Sequence, residues 1–184
     1  FAVTGLSPQV ITETIYALSV CTEPDTRFVP TEIQVLTTTE GASRIRRALL
    51  SVRPRGIDRL CSDYALPPIP FDDSSIHLVS DEKGAPLSDI RLESDNQLVA
   101  DAITERIRQI ASDPGCALHV SMAGGRKTMG FYAGYALSLF GRDQDRLSHV
   151  LVSEPFETSA EFLYPTPHSH VIGVRAGTEL ADAH

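Results

Sequence analysis

One pattern, used twice, narrows what this chain can become: an apolar strand runs straight into a glycine-bearing turn, and the turn opens a helix. Phe1-Ala2-Val3 leads into Thr4-Gly5-Leu6-Ser7-Pro8-Gln9, and Cys116 to Met122 leads into Ala123-Gly124-Gly125-Arg126-Lys127-Thr128. An unbroken apolar strand is expected where both faces of a sheet are covered. Strand, tight turn and helix in alternation imply an α/β, Rossmann-like fold, with a mostly parallel central sheet and helices on both faces. At 184 residues and 42% hydrophobic content, the chain supports one sizeable core. This reads as a single domain over 1–184, with 167–184 as a C-terminal extension.

The remaining elements follow from periodicity. A helix is expected from Pro8 to Val20, with Pro8 at its first position, Ser7 as N-cap, and Val10, Ile11, Ile15 and Leu18 on its apolar face. Glu32 to Thr37 reads as a strand. Thr38 or Thr39 caps a second helix carrying Ile45, Ala48, Leu49 and Leu50, which Arg53-Pro54-Arg55-Gly56 ends. Residues 61–94 are irregular, apart from a short strand over Ile76 to Val79. From Asp95, Leu98 (or Val99), Ile103, Ile107 and Ile110 recur at helical spacing. A helix over Lys127 to Phe140 follows the second turn, then a strand over Leu147 to Ser153. Phe162-Leu163-Tyr164 forms a further short strand. The chain opens inside an apolar stretch, which predicts that a few residues precede Phe1.

In an open parallel sheet, ligands sit beyond the carboxyl ends of the strands, where the strand order reverses. Two strand-turn-helix units side by side would present free backbone N–H groups and two positive helix ends to an anion. Ser121 offers a hydroxyl near the strand end. Gly124 and Gly125 let the backbone come close to a ligand. Arg126 and Lys127 bring cations, and Thr128 can cap the helix or contact phosphate. Neither turn is a Walker loop: Gly125 is followed by Arg126 rather than Lys, and no glycine sits five positions before it.

Other chemistries fit poorly. The net charge of −8 argues against coating a long nucleic acid, though focused donors in a cleft can still hold a small anion. Cys21, Cys61 and Cys116 have no paired spacing, so neither a disulfide framework nor a zinc site is expected, and a reducing cytoplasm fits. The six histidines are scattered and predict no metal site. No GxSxG elbow supports a hydrolase triad. No apolar run reaches the length of a membrane span. Arg142 and His149 have a spacing found in some ribonucleases, but they flank a loop instead of sharing a helix face.

The segments Val3-Thr4-Gly5-Leu6-Ser7-Pro8-Gln9-Val10-Ile11-Thr12-Glu13-Thr14 and His119-Val120-Ser121-Met122-Ala123-Gly124-Gly125-Arg126-Lys127-Thr128-Met129 together resemble the CRISPR-associated Rossmann-fold (CARF) family, in particular its small ancillary proteins of type III CRISPR systems. Phe162-Leu163-Tyr164-Pro165-Thr166-Pro167 is also similar to a feature of that subgroup. The resemblance implies a homodimer that binds a cyclic oligoadenylate, cyclic tetra-adenylate above others, across its two-fold axis. Some members sense the ring and drive an effector; ring nucleases cut it and end the signal. A chain with no second domain of useful size fits the ring nuclease, or a sensor separated from its effector. Ring opening by the ribose 2′-hydroxyl needs no metal or cofactor. On this reading Lys127 steadies the charge on the reacting phosphate and Ser7 orients ribose or phosphate. Thr4, Gly5, Leu6, Ser7, Pro8, Gln9, Ser121, Ala123, Gly124, Gly125, Arg126 and Thr128 form the ligand cradle.

Overall fold

The structure is a computed structural model that describes residues 1–51 and 53–184, with the backbone alone at 176. Five short strands make a central sheet: β1 (Ala2–Val3), β2 (Val35–Thr37), β3 (Ile76–Leu78), β4 (His119–Ser121) and β5 (Arg146–Ser148). Their order is β3-β2-β1-β4-β5, and every neighbouring pair is parallel. Ala2 stands opposite Val35 on one side and Ser121 on the other. The order therefore reverses between β1 and β4, the two strands that lead into the glycine turns.

Side-chain alternation along the strands divides the core into two layers. Ala2, Val35 and Ile76 face α1 (Gln9–Ser19), α2 (Thr39–Ile45) and α3 (Gly56–Asp63). Val3, Leu36 and Val120 face α4 (Glu93–Ala111) and α5 (Lys127–Phe140). The fold is thus the expected Rossmann-like α/β arrangement with both faces covered. In α4, Val99, Ile103 and Ile107 are buried at helical spacing, and Asp95 reaches back to accept from the Arg91 and Leu92 amides at 2.9 Å each. Ala133 and Ala136 keep the inner side of α5 thin, so that it lies close on the sheet.

Several local details differ from the sequence reading. The first helix begins at Gln9, not Pro8, and Ser7 does not cap it: Pro8 occupies the N-cap position without a side-chain bond. Thr4 Oγ1 donates to the Ser7 carbonyl at 3.2 Å, and the turn tightens around that bond. The sequence around Arg53 to Gly56 stops α2, which closes with a π turn over Arg46–Leu50, but it also starts α3 with Arg55 as N-cap. Eight residues, with Gly56, Ile57, Leu60 and Cys61 buried, are too short to show a period. The strand after α5 pairs only through Ser148, and Phe162-Leu163-Tyr164 forms no strand. Phe162 and Tyr164 are buried instead, Tyr164 Oη donating to Asp63 at 3.0 Å. The region read as an extension contains an antiparallel hairpin, β6 (Val171–Val174) with β7 (Glu179–Asp182), turning through Gly177 at φ +82°.

Candidate functional site

The two glycine turns meet at the point where the strand order reverses. A Cβ added to Gly5 would lie 3.4 Å from Gly125 Cα, so the turns are in van der Waals contact. A Cβ on Gly124 would fall 2.8 Å from the Val3 carbonyl oxygen, 2.9 Å from Val10 Cγ2 and 3.0 Å from Thr4 Oγ1. Only glycine lets the second turn press this closely on the first. Gly125 has φ +79°, a left-handed backbone that L side chains rarely adopt.

Three helices point their N-termini at this crevice, and they differ in one respect. At α2, the Thr39 amide donates to the Leu87 carbonyl at 2.9 Å and the Glu40 amide to Ser88 at 3.3 Å; Thr38 Oγ1 accepts from Gly41. That helix end is closed by the protein itself. At α1 and α5 the amides of Gly5, Leu6, Ser7 and Gln9 and of every residue from Ala123 to Thr128 have no acceptor among the described residues. Two adjoining runs of unpaired N–H groups, each at a positive helix end, form a cradle for an anion.

The side chains divide into those that build the cradle and those that face outward. Thr4 is fully buried, and its backbone oxygen accepts from Thr37 Oγ1 at 2.7 Å. Ser121 is also buried and pairs with Thr14 Oγ1 at 3.0 Å. Because Thr14 donates to the Val10 carbonyl, the Ser121 proton goes to Thr14, so this pair ties α1 to β4. Pro8 is buried, and Gln9 and Ala123 are half-buried. Leu6, Ser7, Arg126, Lys127 and Thr128 are exposed at the mouth.

The two cations of the second turn are held differently. Arg126 Nη2 pairs with Asp89 Oδ2 at 2.8 Å, and Arg91 approaches the same carboxylate at 3.6 Å. Partial burial opposes the charge on Asp89, but the Ile90 amide and the Arg126 guanidinium outweigh it and hold the carboxyl below its usual range. Lys127, in the first turn of α5, has no carboxylate within ion-pair distance among the described residues. It is the cation available to a ligand without first breaking a bond. Asp89 was missed in the sequence because it lies in a loop with no periodicity. That loop reaches the crevice by crossing the start of α2. Arg142 takes a structural role: it binds Asp145 at 2.8 Å and the Cys116 carbonyl at 2.8 Å, near the other end of β4.

This geometry defines a doubly wound α/β protein in which two helix N-termini with unpaired amides meet at the topological switch point. The sequence model of the family described as CRISPR-associated protein NE0113 (Cas_NE0113) matches residues 7–182. The chain belongs to that family and is a CRISPR-associated protein, which gives it a role in CRISPR systems. No curated protein matches the sequence at a significant level. No helix among the described residues is long and apolar enough to cross a membrane.

Proposed function

We propose that this chain binds a cyclic oligoadenylate, with cyclic tetra-adenylate the first choice, across the two-fold axis of a homodimer, and opens the ring to switch off type III CRISPR signalling. The observation that carries this reading is the pair of touching turns with unpaired amides and an unpaired Lys127. A symmetric ring suits a symmetric site, because each subunit can offer the same two turns to half of the ligand. The ribose 2′-hydroxyl attacks its neighbouring phosphate and gives up its proton, the P–O5′ bond breaks, the leaving 5′-oxygen takes up a proton, and the product is a linear adenylate with a 5′-hydroxyl at one end and a 2′,3′-cyclic phosphate at the other. The protein aligns the attacking and leaving oxygens and stabilises the phosphorane charge through the amides and Lys127. Ser7, exposed and free of any capping bond, is available to orient the ribose or the phosphate.

The alternative is a sensor that holds the ring without cutting it. One observation favours it: the carboxylate at the cleft, Asp89, is committed to Arg126, which leaves no free general base among the side chains described there. Incubating the protein with cyclic tetra-adenylate and resolving the products by chromatography separates the two. A 2′,3′-cyclic phosphate product supports the nuclease, and an intact bound ring supports the sensor. Failure to bind any cyclic oligoadenylate overturns both.

The outer side of α5 supports the dimer. Phe131, Tyr135 and Leu139 recur every fourth residue and are 65%, 56% and 57% exposed. The Phe131 and Tyr135 rings stack with centroids 6.0 Å apart. Between Thr128 and Phe140 the helix carries no charged residue, on a chain of net charge −8. A stripe of this kind is self-complementary about a two-fold axis. Phe131 lies one turn beyond Lys127, so pairing α5 with its copy brings both cradles together. Tyr135→Glu is expected to yield a folded monomer by light scattering at concentrations where the wild type is a dimer. A wild type that is monomeric with cyclic tetra-adenylate present would remove the basis for the shared site.

A further inference from the structure

Glu13 stands apart from the other polar side chains of the core. It is 7% exposed, on the middle of α1, and has no hydrogen-bond or ion partner among the described residues. The buried hydroxyl side chains on the same helix find partners, as Thr12, Thr14 and Ser19 show. Glu13 lines a cavity of about 340 Å³, with Tyr16 on its own helix and Val150, Val152, Phe156 and Phe162 on the chain that leaves β5. That volume lies at the lower end of the range for small-molecule sites, about 300–1,000 Å³. Its wall is mostly apolar, with Glu13, Tyr16, Cys21, Ser153 and His184 as the polar side chains.

Glu13 shares α1 with two residues that touch the second turn and its strand. Val10, one turn before Thr14, packs against Gly124, and Thr14 holds Ser121. Glu13 is four residues along the helix from Gln9, a rise of about 6 Å, comparable to the span of a ribose. Burial raises the Glu13 carboxyl to about 7, so much of it is neutral near physiological pH. A neutral carboxyl offers one donor and one acceptor side by side. The Watson–Crick edge of adenine offers the complement, an acceptor at N1 beside the N6 amino donor. The aromatic wall supplies a surface on which a base can stack.

We infer that this cavity is a base pocket, in which Glu13 reads the Watson–Crick edge of an adenine whose phosphate rests on the glycine turns. This rests on the cyclic oligoadenylate reading above, and its test separates the two. Cyclic tetra-adenylate binding is measured by calorimetry for wild type, Glu13→Ala and Glu13→Gln at pH 6, 7 and 8. Glu13→Ala is expected to bind about tenfold to a hundredfold more weakly at pH 6, the value of a bidentate base contact. Glu13→Gln, whose amide has the same donor and acceptor, is expected to bind within about threefold of wild type. Wild-type affinity is expected to fall from pH 6 to pH 8 as the donor is lost, and Glu13→Gln to be flat. Tyr16, Cys21 and His184 are the other titratable groups on the cavity wall. A pH dependence that survives in Glu13→Gln assigns the titration to one of them and overturns the inference. So does Glu13→Ala binding as tightly as wild type, which leaves the cyclic oligoadenylate reading standing. No binding by the wild type overturns both. Thermal melting of each variant checks folding, and removing an unpartnered buried carboxyl is expected to leave melting unchanged or raise it.

Discussion

Lys127→Ala is expected to slow ring opening about a hundredfold to a thousandfold, the usual effect of removing one transition-state donor, while weakening ring binding far less. On the proposed reading the ground-state phosphates are shared among many donors, because the amides of Gly5, Leu6, Ser7 and Gln9 and of Ala123 to Thr128 lack acceptors among the described residues. Losing one cation from so large a set costs little affinity. In the transition state the extra negative charge gathers on one phosphate, and a cation placed there counts for more. Lys127 fits that task better than Arg126, whose guanidinium already holds Asp89 at 2.8 Å. Lys127→Arg is expected to rescue poorly, because the planar fork and longer reach change the contact. Single-turnover cleavage and equilibrium binding on one preparation test this. If affinity collapses while the rate at saturation is unchanged, Lys127 only holds the ligand.

The sheet and its switch point were legible in the sequence because they rest on strong local signals. Val3 and Val120 sit in apolar runs, and the glycines that follow them mark turns whose backbones must approach closely. The contact between the two turns then follows from strand order, which right-handed parallel crossovers restrict to few possibilities. The sequence could not tell which polar residues face outward at the mouth of the crevice. Thr4 and Ser121 sit in the turn motifs beside Ser7 and Lys127, yet the first two are buried and bonded within the protein. Local pattern gives no orientation there, because one residue of offset moves a side chain from core to mouth. Ser7 shows the same problem: its type suits an N-cap, but the Thr4 bond to its carbonyl shifts the helix start by one residue.

Asp89 and Glu13 were illegible for opposite reasons. Asp89 sits in a loop whose ties to the site are tertiary, through the Leu87 and Ser88 carbonyls at the start of α2 and the ion pair with Arg126. Glu13 lies inside the resembling motif, but a glutamate on a helix normally faces solvent. Only the burial of its flank against the chain after β5 sets it apart.

That burial predicts a second large effect, on stability. Glu13→Gln is expected to stabilise the protein at pH 8 by up to about 3 kcal/mol, a figure set by the gap between about 7 in the folded state and the ordinary 4.5. Between those values the folded protein keeps a proton that the unfolded chain has released. The Glu13 contribution is therefore fully present below pH 4.5 and is lost as pH rises through 7. His119 works in the opposite sense. Burial lowers its imidazole from 6.5 to about 4, so its contribution is present above pH 6.5 and is lost as pH falls toward 4. Over pH 4.5 to 6.5 the two slopes oppose each other, and the wild-type profile alone cannot separate them. The difference between wild type and Glu13→Gln can, because His119 is common to both. Urea unfolding at pH 5 and pH 8 should give curves that lie close together at the lower pH and separate at the higher, with the variant more stable. Parallel curves at both values would show that Glu13 titrates as an ordinary solvated carboxylate, and the burial assigned to its carboxyl would go with it.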